Sequence, residues 1–123
     1  LLKARSTHNK NLILDWSTDI HLGDCCENGY QLRPHIVWFG EEVPLMEQAM
    51  EITQKADVLI IIGTSMQVYP AAGLVNYAPY DTPIYFVDPR PNIGTKDFKN
   101  LRIISQTAEI GVPSLVQELI EMK

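Results

Sequence analysis

Two short aliphatic runs, each closed by a turn residue, constrain the fold of this chain more than any other feature. Residues 58–62 are five consecutive aliphatic residues followed by Gly63, and residues 84–87 form an apolar run that ends at Asp88. Runs of this length without polar alternation are typical of strands buried on both faces. Residues 101–104 predict another strand of the same kind.

Segments with helical spacing separate these runs. Residues 70–78 predict a short helix between the first two strands, and Pro44 suits the first turn of an earlier helix. Strands that alternate with helices predict an α/β fold with a parallel sheet covered on both faces. The apolar stripe of the earlier helix consists of Leu45, Met46, Ala49, Met50, Ile52 and Ala56, and that of a closing helix consists of Val112, Leu115, Val116, Leu119 and Ile120.

The amino-terminal part of the chain has a different character. Residues 1–34 are polar and carry both cysteines, and only residues 12–14 suggest a strand, at a sheet edge. Residues 36–39 are β-branched and aromatic and predict the first strand of the regular part. We therefore expect a small irregular module over residues 1–34 and an α/β domain over residues 35–123.

Composition excludes several classes of function. The 123 residues have a net charge of −5, which argues against binding nucleic acid or an anionic membrane. The longest apolar run is too short to span a bilayer, and the first residues, which lack an initiating Met, do not resemble a signal peptide. Because Cys25 and Cys26 are adjacent, a disulfide framework is not expected, which favours a reducing, cytoplasmic setting.

Three segments fall at carboxyl ends of predicted strands, where α/β sheets bind ligands. The first, Gly63-Thr64-Ser65, offers backbone N–H groups for a phosphate, although such turns are more often structural. The second begins at Asp88, whose carboxylate is suited either to accept a hydrogen bond from a ribose hydroxyl or to stabilise a turn before Pro89. The third segment is residues 106–108. His8, His21 and His35 are expected at the surface, and no complete catalytic site is evident.

Residues 32–41, Leu-Arg-Pro-His-Ile-Val-Trp-Phe-Gly-Glu, closely resemble a signature of the sirtuins, which are NAD-dependent protein deacylases. The resemblance continues through residues 63–65 and 68–73 and ends with Ala108, Val112, Pro113 and the closing helix. Order and spacing agree from Leu32 to the end of the chain, most closely with the bacterial deacylase branch. The implied fold is the C-terminal half of a Rossmann-like sheet preceded by a zinc-module-like segment.

The resemblance implies an acyl-lysine site that binds substrate proteins or peptides. The segment from Val37 through Gly40 to Glu41 resembles the strand that pairs with the substrate backbone, by strand addition. The carbonyl of Val37 would accept the substrate amide, the Phe39 ring would wall the lysine tunnel, and Tyr69 would line the other side. Trp38 is expected to be core.

The resemblance also implies part of a site for NAD, which is consumed as co-substrate. Gly63, Thr64 and Ser65 match a turn that contacts the phosphates and ribose. Asp88 stands where the family usually has Asn near the adenosine ribose, and Ala108 matches a backbone contact to adenine. Arg90 stands where an acid is common, so that contact is not carried over.

Zinc is not expected, although sirtuins usually bind it through four cysteines in this region. When the sequence is matched to the family backwards from Arg33, Cys25 falls at one ligand position and Asn28 falls at the position of its partner. Ser6 and Asn9 fall at the positions of the earlier pair. One ligand of four does not hold zinc, and Cys26 has no role in this set. His21, Asp24, Cys25 and Cys26 lack the paired Cys-x-x-Cys spacing of structural zinc sites.

The resemblance places the glycine-rich NAD loop and the catalytic His-Gly pair before Leu1. In the implied mechanism the acyl oxygen attacks the nicotinamide-bearing carbon of NAD, and the histidine then activates a ribose hydroxyl. The isolated chain is therefore expected to be inactive. The alternative is a non-catalytic nucleotide-binding or interaction module, which the acidic charge, the missing metal ligands and the missing first half also fit.

Overall fold

The computed structural model describes residues 2–93 and 98–122. Contacts within the chain divide it into two compact units, Leu1–Glu42 and Val43–Lys123, and each is described by itself.

The first unit contains a three-stranded antiparallel sheet. Its strands are β1 (Lys3–Ser6), β2 (Ile13–Asp15) and β3 (Leu32–Pro34), in the order β2-β1-β3. The expected edge strand at residues 12–14 is confirmed with a shift of one residue. The expectation that the rest of this module is irregular is wrong, since β1 pairs with a strand on either side. The alternation of exposed and buried positions along β1 covers only four residues, which is too short to stand out in a polar sequence.

A small core lies against this sheet. Ala4, Cys26 and Leu32 are its buried members, and they are packed by Leu12, Trp16 and Ile20. Cys26, which was not expected to take part in a zinc site, is 6% exposed and belongs to this core. Cys25 is exposed, and both thiols are free.

The second unit contains the expected parallel sheet. Its strands are β4 (Leu59–Ile62), β5 (Ile84–Val87) and β6 (Leu101–Ile104), in the order β4-β5-β6. The helices are α1 (Met46–Thr53), a 3-10 helix (Ala71–Tyr77) and α2 (Ala108–Glu121). The predicted α/β class is confirmed, and the elements from α1 onward occur in the predicted order.

Burial is greatest along β5. Tyr85 and Val87 pack with Leu115 of α2 on one face, and Ile84 and Phe86, which alternate with them, are also buried. By contrast, the prediction that residues 58–62 are buried on both faces is wrong. Val58 is 38% and Ile62 is 44% exposed, because in the described sheet β4 has a neighbouring strand on one side only.

The helices differ from the sequence pattern in two respects, the buried face of α1 and the start of α2. In α1 the predicted stripe is wrong at Leu45 and Ile52, which are 68% and 65% exposed, whereas Thr53 is buried. The closing helix begins at Ala108, four residues before the apolar stripe starts, because Thr107 accepts the first backbone hydrogen bonds from Ile110 and Gly111. That first turn is exposed except at Gly111, so hydrophobic spacing does not reveal it.

Candidate nucleotide and acyl-lysine sites

The carboxyl ends of the three parallel strands gather the residues that the sequence assigns to NAD. Gly63 follows β4 directly, Asp88 follows β5 directly, and Ala108 opens α2 just after β6. Parallel neighbours with matched register end at the same edge of the sheet. In open α/β sheets this edge is where ligands bind.

The turn after β4 is shaped by positive backbone angles. Gly63 has φ +59°, and its N–H donates to the carbonyl of Val87 at 2.9 Å. Met66 also has a positive φ, 54°, and its N–H donates to Thr64 Oγ1 at 3.2 Å. Within the described residues, the backbone N–H groups of Thr64 and Ser65 donate to no protein acceptor. Unpaired N–H groups in such a turn are suited to binding an anion.

The Asp88 carboxylate takes part in a local turn. Its Oδ1 accepts the backbone N–H of Arg90 at 2.7 Å, and the Asp88 N–H donates to the carbonyl of Ile104 at 3.2 Å. This is the turn interaction expected for an Asp before Pro89. Since a carboxylate has a second oxygen, the same side chain retains an acceptor for a ribose hydroxyl.

Ala108 is an exposed residue at the start of the 14-residue helix α2. Thr107 precedes it in an extended conformation and makes no side-chain capping hydrogen bond. The first N–H groups of a helix have no partner within the helix. Ala108 can therefore offer a ligand hydrogen bonds only through its backbone.

The segment from Ile36 to Glu41 is a turn and not a strand, so the strand prediction for residues 36–39 is wrong. Strand β3 ends at Pro34, and His35 makes the last hydrogen bond, to the carbonyl of Lys3 at 3.0 Å. The Ile36 N–H then donates to the carbonyl of Pro34 at 2.9 Å, and this turn ends the extended conformation. Hydrophobic content alone suggested a strand, although these side chains are not buried.

Val37, Trp38 and Phe39 project from this segment with 45%, 53% and 90% of their surfaces exposed. The expectation that Trp38 is core is wrong; its ring lies under the guanidinium of Arg33, 5.7 Å from the ring centroid. Tyr69 belongs to the second unit and is 73% exposed. Of the residues assigned to the acyl-lysine site, Val37, Phe39 and Tyr69 are thus large side chains exposed at the surface of their own units.

Glu41 anchors the same segment, and the sequence did not predict this. Its carboxylate accepts hydrogen bonds from Arg33 at 2.5 Å, from Arg5 at 3.2 Å and from the Trp38 backbone N–H at 3.0 Å. The Trp38 N–H, followed by Arg33 and Arg5, lowers the pKa of Glu41 below its usual value. The available signal was the pair Arg33 and Glu41 flanking an apolar stretch.

The three histidines are exposed, as expected. His8 stacks on Tyr30 with ring centroids 4.1 Å apart. His35 contributes its backbone to the end of the sheet.

The residues present do not fit the zinc ion that sirtuins usually bind. Among the described residues, no group of three or more His, Cys, Asp or Glu side chains is placed to hold a metal ion. Ser6 Oγ instead accepts the N–H groups of His8 and Asn9, each at 3.2 Å, and Cys26 Sγ lies 3.4 Å from it. The hydrogen bond to Ser6 is the largest influence that lowers the pKa of Cys26.

The second unit has the fold of one half of a Rossmann-like α/β domain, and comparison with known proteins gives the family. The model of the Sir2 family matches residues 3–70, which is more than half of the 123 residues. The chain therefore belongs to the Sir2 family. In the part of the chain that the structure describes, no helix has both the length and the apolar character needed to cross a membrane.

Named relatives and a solved structure agree with this assignment. The chain is 44% identical over 122 residues to an NAD-dependent protein deacylase of Helicobacter pylori, covering 99% of this chain and 52% of that protein. It is 45% identical over 120 residues to an NAD-dependent protein deacylase of Bacteroides thetaiotaomicron, covering 95% and 51%. A crystal structure of a Sir2 homologue in complex with NAD superposes with a TM-score of 0.82 at 28% identity, covering 99% and 49%. The chain thus spans about half the length of the relatives it matches.

Proposed function

We propose that this chain is part of an NAD-dependent protein deacylase and carries its acyl-lysine-binding segment and part of its NAD site. The observation that carries the proposal is the common edge where Gly63, Asp88 and Ala108 follow three parallel strands. The relatives named NAD-dependent protein deacylases support it, as does the fold shared with a Sir2 homologue that binds NAD.

In this proposal the turn after β4 binds the phosphates and a ribose of NAD. The N–H groups of Thr64 and Ser65 donate to the anionic oxygens, and the hydroxyls of these residues add further donors. Asp88 accepts from the adenosine ribose, and the backbone of Ala108 contacts adenine. NAD is the co-substrate and supplies the carbon that the acyl oxygen attacks as nicotinamide leaves.

The acyl-lysine site uses the exposed segment around Phe39. The carbonyl of Val37 accepts the substrate amide N–H, and the turn through Gly40 and Glu41 lies along the backbone of the acylated peptide. The Phe39 ring contacts the aliphatic part of the acyl-lysine. Tyr69, which is exposed on the second unit, is assigned to substrate binding by the resemblance alone. Burial of the exposed Phe39 ring against the aliphatic part of the acyl-lysine favours binding.

The general base lies in sequence that this chain does not contain, and the isolated chain does not turn over substrate. In functional terms, the first unit, which extends past the expected boundary at residue 34 to Glu42, is the small module without zinc, and the second unit belongs to the C-terminal half of the NAD-binding domain. Elemental analysis tests the metal assignment: we expect far less than one zinc per chain, and stoichiometric zinc would contradict it.

Calorimetric titration with NAD tests the nucleotide site. In the full-length protein Asp88→Ala should weaken NAD binding by about 10- to 150-fold, because a hydrogen bond to a charged group contributes about 1.5–3 kcal/mol. Asp88→Asn keeps one oxygen, whose two lone pairs can accept both the Arg90 N–H and a ribose hydroxyl, so it should lose less affinity than Asp88→Ala. Asp81→Ala, an exposed acid outside the site, is the control. Wild-type affinity in Asp88→Ala would refute the assignment, and submicromolar binding by the 123-residue chain alone would favour a self-sufficient nucleotide-binding module.

A further inference from the structure

The conformation of the exposed segment at the acyl-lysine site, residues 37–41, is not fixed by a hydrophobic core. Val37, Trp38 and Phe39 are all substantially exposed, so burial in a core does not fix the conformation of this segment. Gly40 has φ +85°, which marks a tight turn of the backbone. Polar contacts must therefore hold the chain in place.

Those contacts converge on one carboxylate. The Glu41 N–H donates to the carbonyl of Trp38 at 3.1 Å, and the Glu41 carboxylate accepts the N–H of Trp38 at 3.0 Å. Backbone and side chain of one residue thus close the turn from both ends. We call Arg5, Arg33, Trp38 and Glu41 the Glu41 cluster.

The two arginines connect this turn to the sheet of the first unit. Arg5 lies in β1 and Arg33 in β3, directly opposite each other in the ladder. Their side chains are only 11% and 22% exposed, and that of Glu41 is 33% exposed. Arg33 also donates to the carbonyl of Ile36 at 3.4 Å, and its guanidinium lies over the Trp38 ring. One arginine therefore holds the segment at its start, its middle and its end.

We propose that Glu41 is a positioning residue: through Arg5 and Arg33 its carboxylate fixes the turn that presents Val37 and Phe39, so that the peptide-binding segment is ordered before the acyl-lysine arrives. This inference rests on the proposed function for its effect on catalysis. The carboxylate is occupied by three donors within its own unit, so the side chain acts on the turn and does not contact substrate. An ordered segment loses less conformational entropy on binding, which improves affinity for the peptide.

Amide hydrogen exchange on the 123-residue chain tests the positioning directly. Glu41→Gln removes the charge that both arginines bind, and the Trp38 amide should then exchange about tenfold faster, which corresponds to about 1.4 kcal/mol of lost protection. Glu42→Gln is the matched control, because Glu42 makes only a 3.9 Å contact with Lys10 and its side chain is 92% exposed. Equal Trp38 exchange in the two variants would overturn the proposal. This result does not depend on any enzyme activity.

Kinetics of the full-length protein test the consequence for substrate. Glu41→Gln should raise KM for an acyl-lysine peptide about tenfold, leave kcat within about twofold and leave KM for NAD unchanged. Glu41→Asp, which keeps the charge, should recover part of the loss. A fall in kcat with peptide KM unchanged, or equal losses for peptide and NAD, would overturn the proposal. Wild-type protein without deacylase activity would instead refute the proposed function and leave the exchange result standing.

Discussion

Gly111 of α2 lies directly against Val87 of β5, so closely that a Cβ at this glycine would stand 2.8 Å from Val87 Cγ1. The same Cβ would stand 3.2 Å from Ile104 Cγ2. Both neighbours are on strands whose carboxyl ends carry the proposed nucleotide site. The absence of a side chain at Gly111 therefore sets how near the helix start comes to that edge.

Gly111→Ala should destabilise the protein by about 1–3 kcal/mol, because added volume in a packed core forces neighbouring atoms apart. Denaturant unfolding measures the change. Ser114→Ala, on an exposed position of the same helix, should change stability by less than about 0.5 kcal/mol. If Gly111→Ala were as stable as the Ser114→Ala control, the close packing described here would be wrong.

Ser6→Ala should destabilise the first unit by about 1–3 kcal/mol, since it leaves two backbone N–H groups and the Cys26 thiol without their acceptor. Ser6 is 2% exposed, so water does not readily replace the lost oxygen. Thermal unfolding of this variant is compared with that of Ser17→Ala, a change at an exposed serine. Equal melting temperatures would show that the hydroxyl does not stabilise this module.

The carboxylate of Glu41 should make stability depend on pH. The folded-state pKa of Glu41 is lowered by the Trp38 N–H and the two arginines, so its contribution is fully present above the ordinary Glu pKa of 4.5. The contribution is lost as pH falls through the lowered folded value. Wild type should therefore exceed Glu41→Gln in stability at pH 6, and the difference should shrink steadily on acidification. A difference that does not change with pH would contradict this.

Phe39→Ala in the full-length protein should impair use of an acyl-lysine peptide far more than binding of NAD. Because the Phe39 side chain is 90% exposed, its removal should change the free energy of unfolding by less than about 0.5 kcal/mol. Leu22→Ala is the control, since Leu22 is 98% exposed in the same unit and lies outside the proposed site. Steady-state kinetics with peptide and NAD varied in turn separate the two effects. Equal losses for both substrates would argue against the tunnel-wall role.

The regular part of the fold was predictable because its strands are aliphatic runs without alternation. The runs at Ile84–Val87 and Leu101–Ile104 became strands of a parallel sheet, and the positions of Gly63 and Asp88 at its carboxyl edge followed from that order. This part of the candidate site needs only the topology, which local patterns reveal.

The rest of the site was not predictable because it depends on long-range contacts between polar groups. The apolar residues around Trp38 suggested a strand, but the partners of Glu41 on two strands bend the segment into a turn. Likewise, the contact of Cys26 with Ser6 joins positions twenty residues apart, and no local sequence pattern predicts it. Hydrophobic periodicity reports burial and carries no information on such pairs.

Release of nicotinamide by the full-length protein is the most direct test of the proposed function. Purified protein is incubated with NAD and either an acyl-lysine peptide or the same peptide with unmodified lysine, and free nicotinamide is quantified. We predict release that requires the acyl group and matches the amount of lysine deacylated, one for one. No release with any acylated peptide, or equal release with the unmodified peptide, would contradict the assignment of this chain to an NAD-dependent protein deacylase.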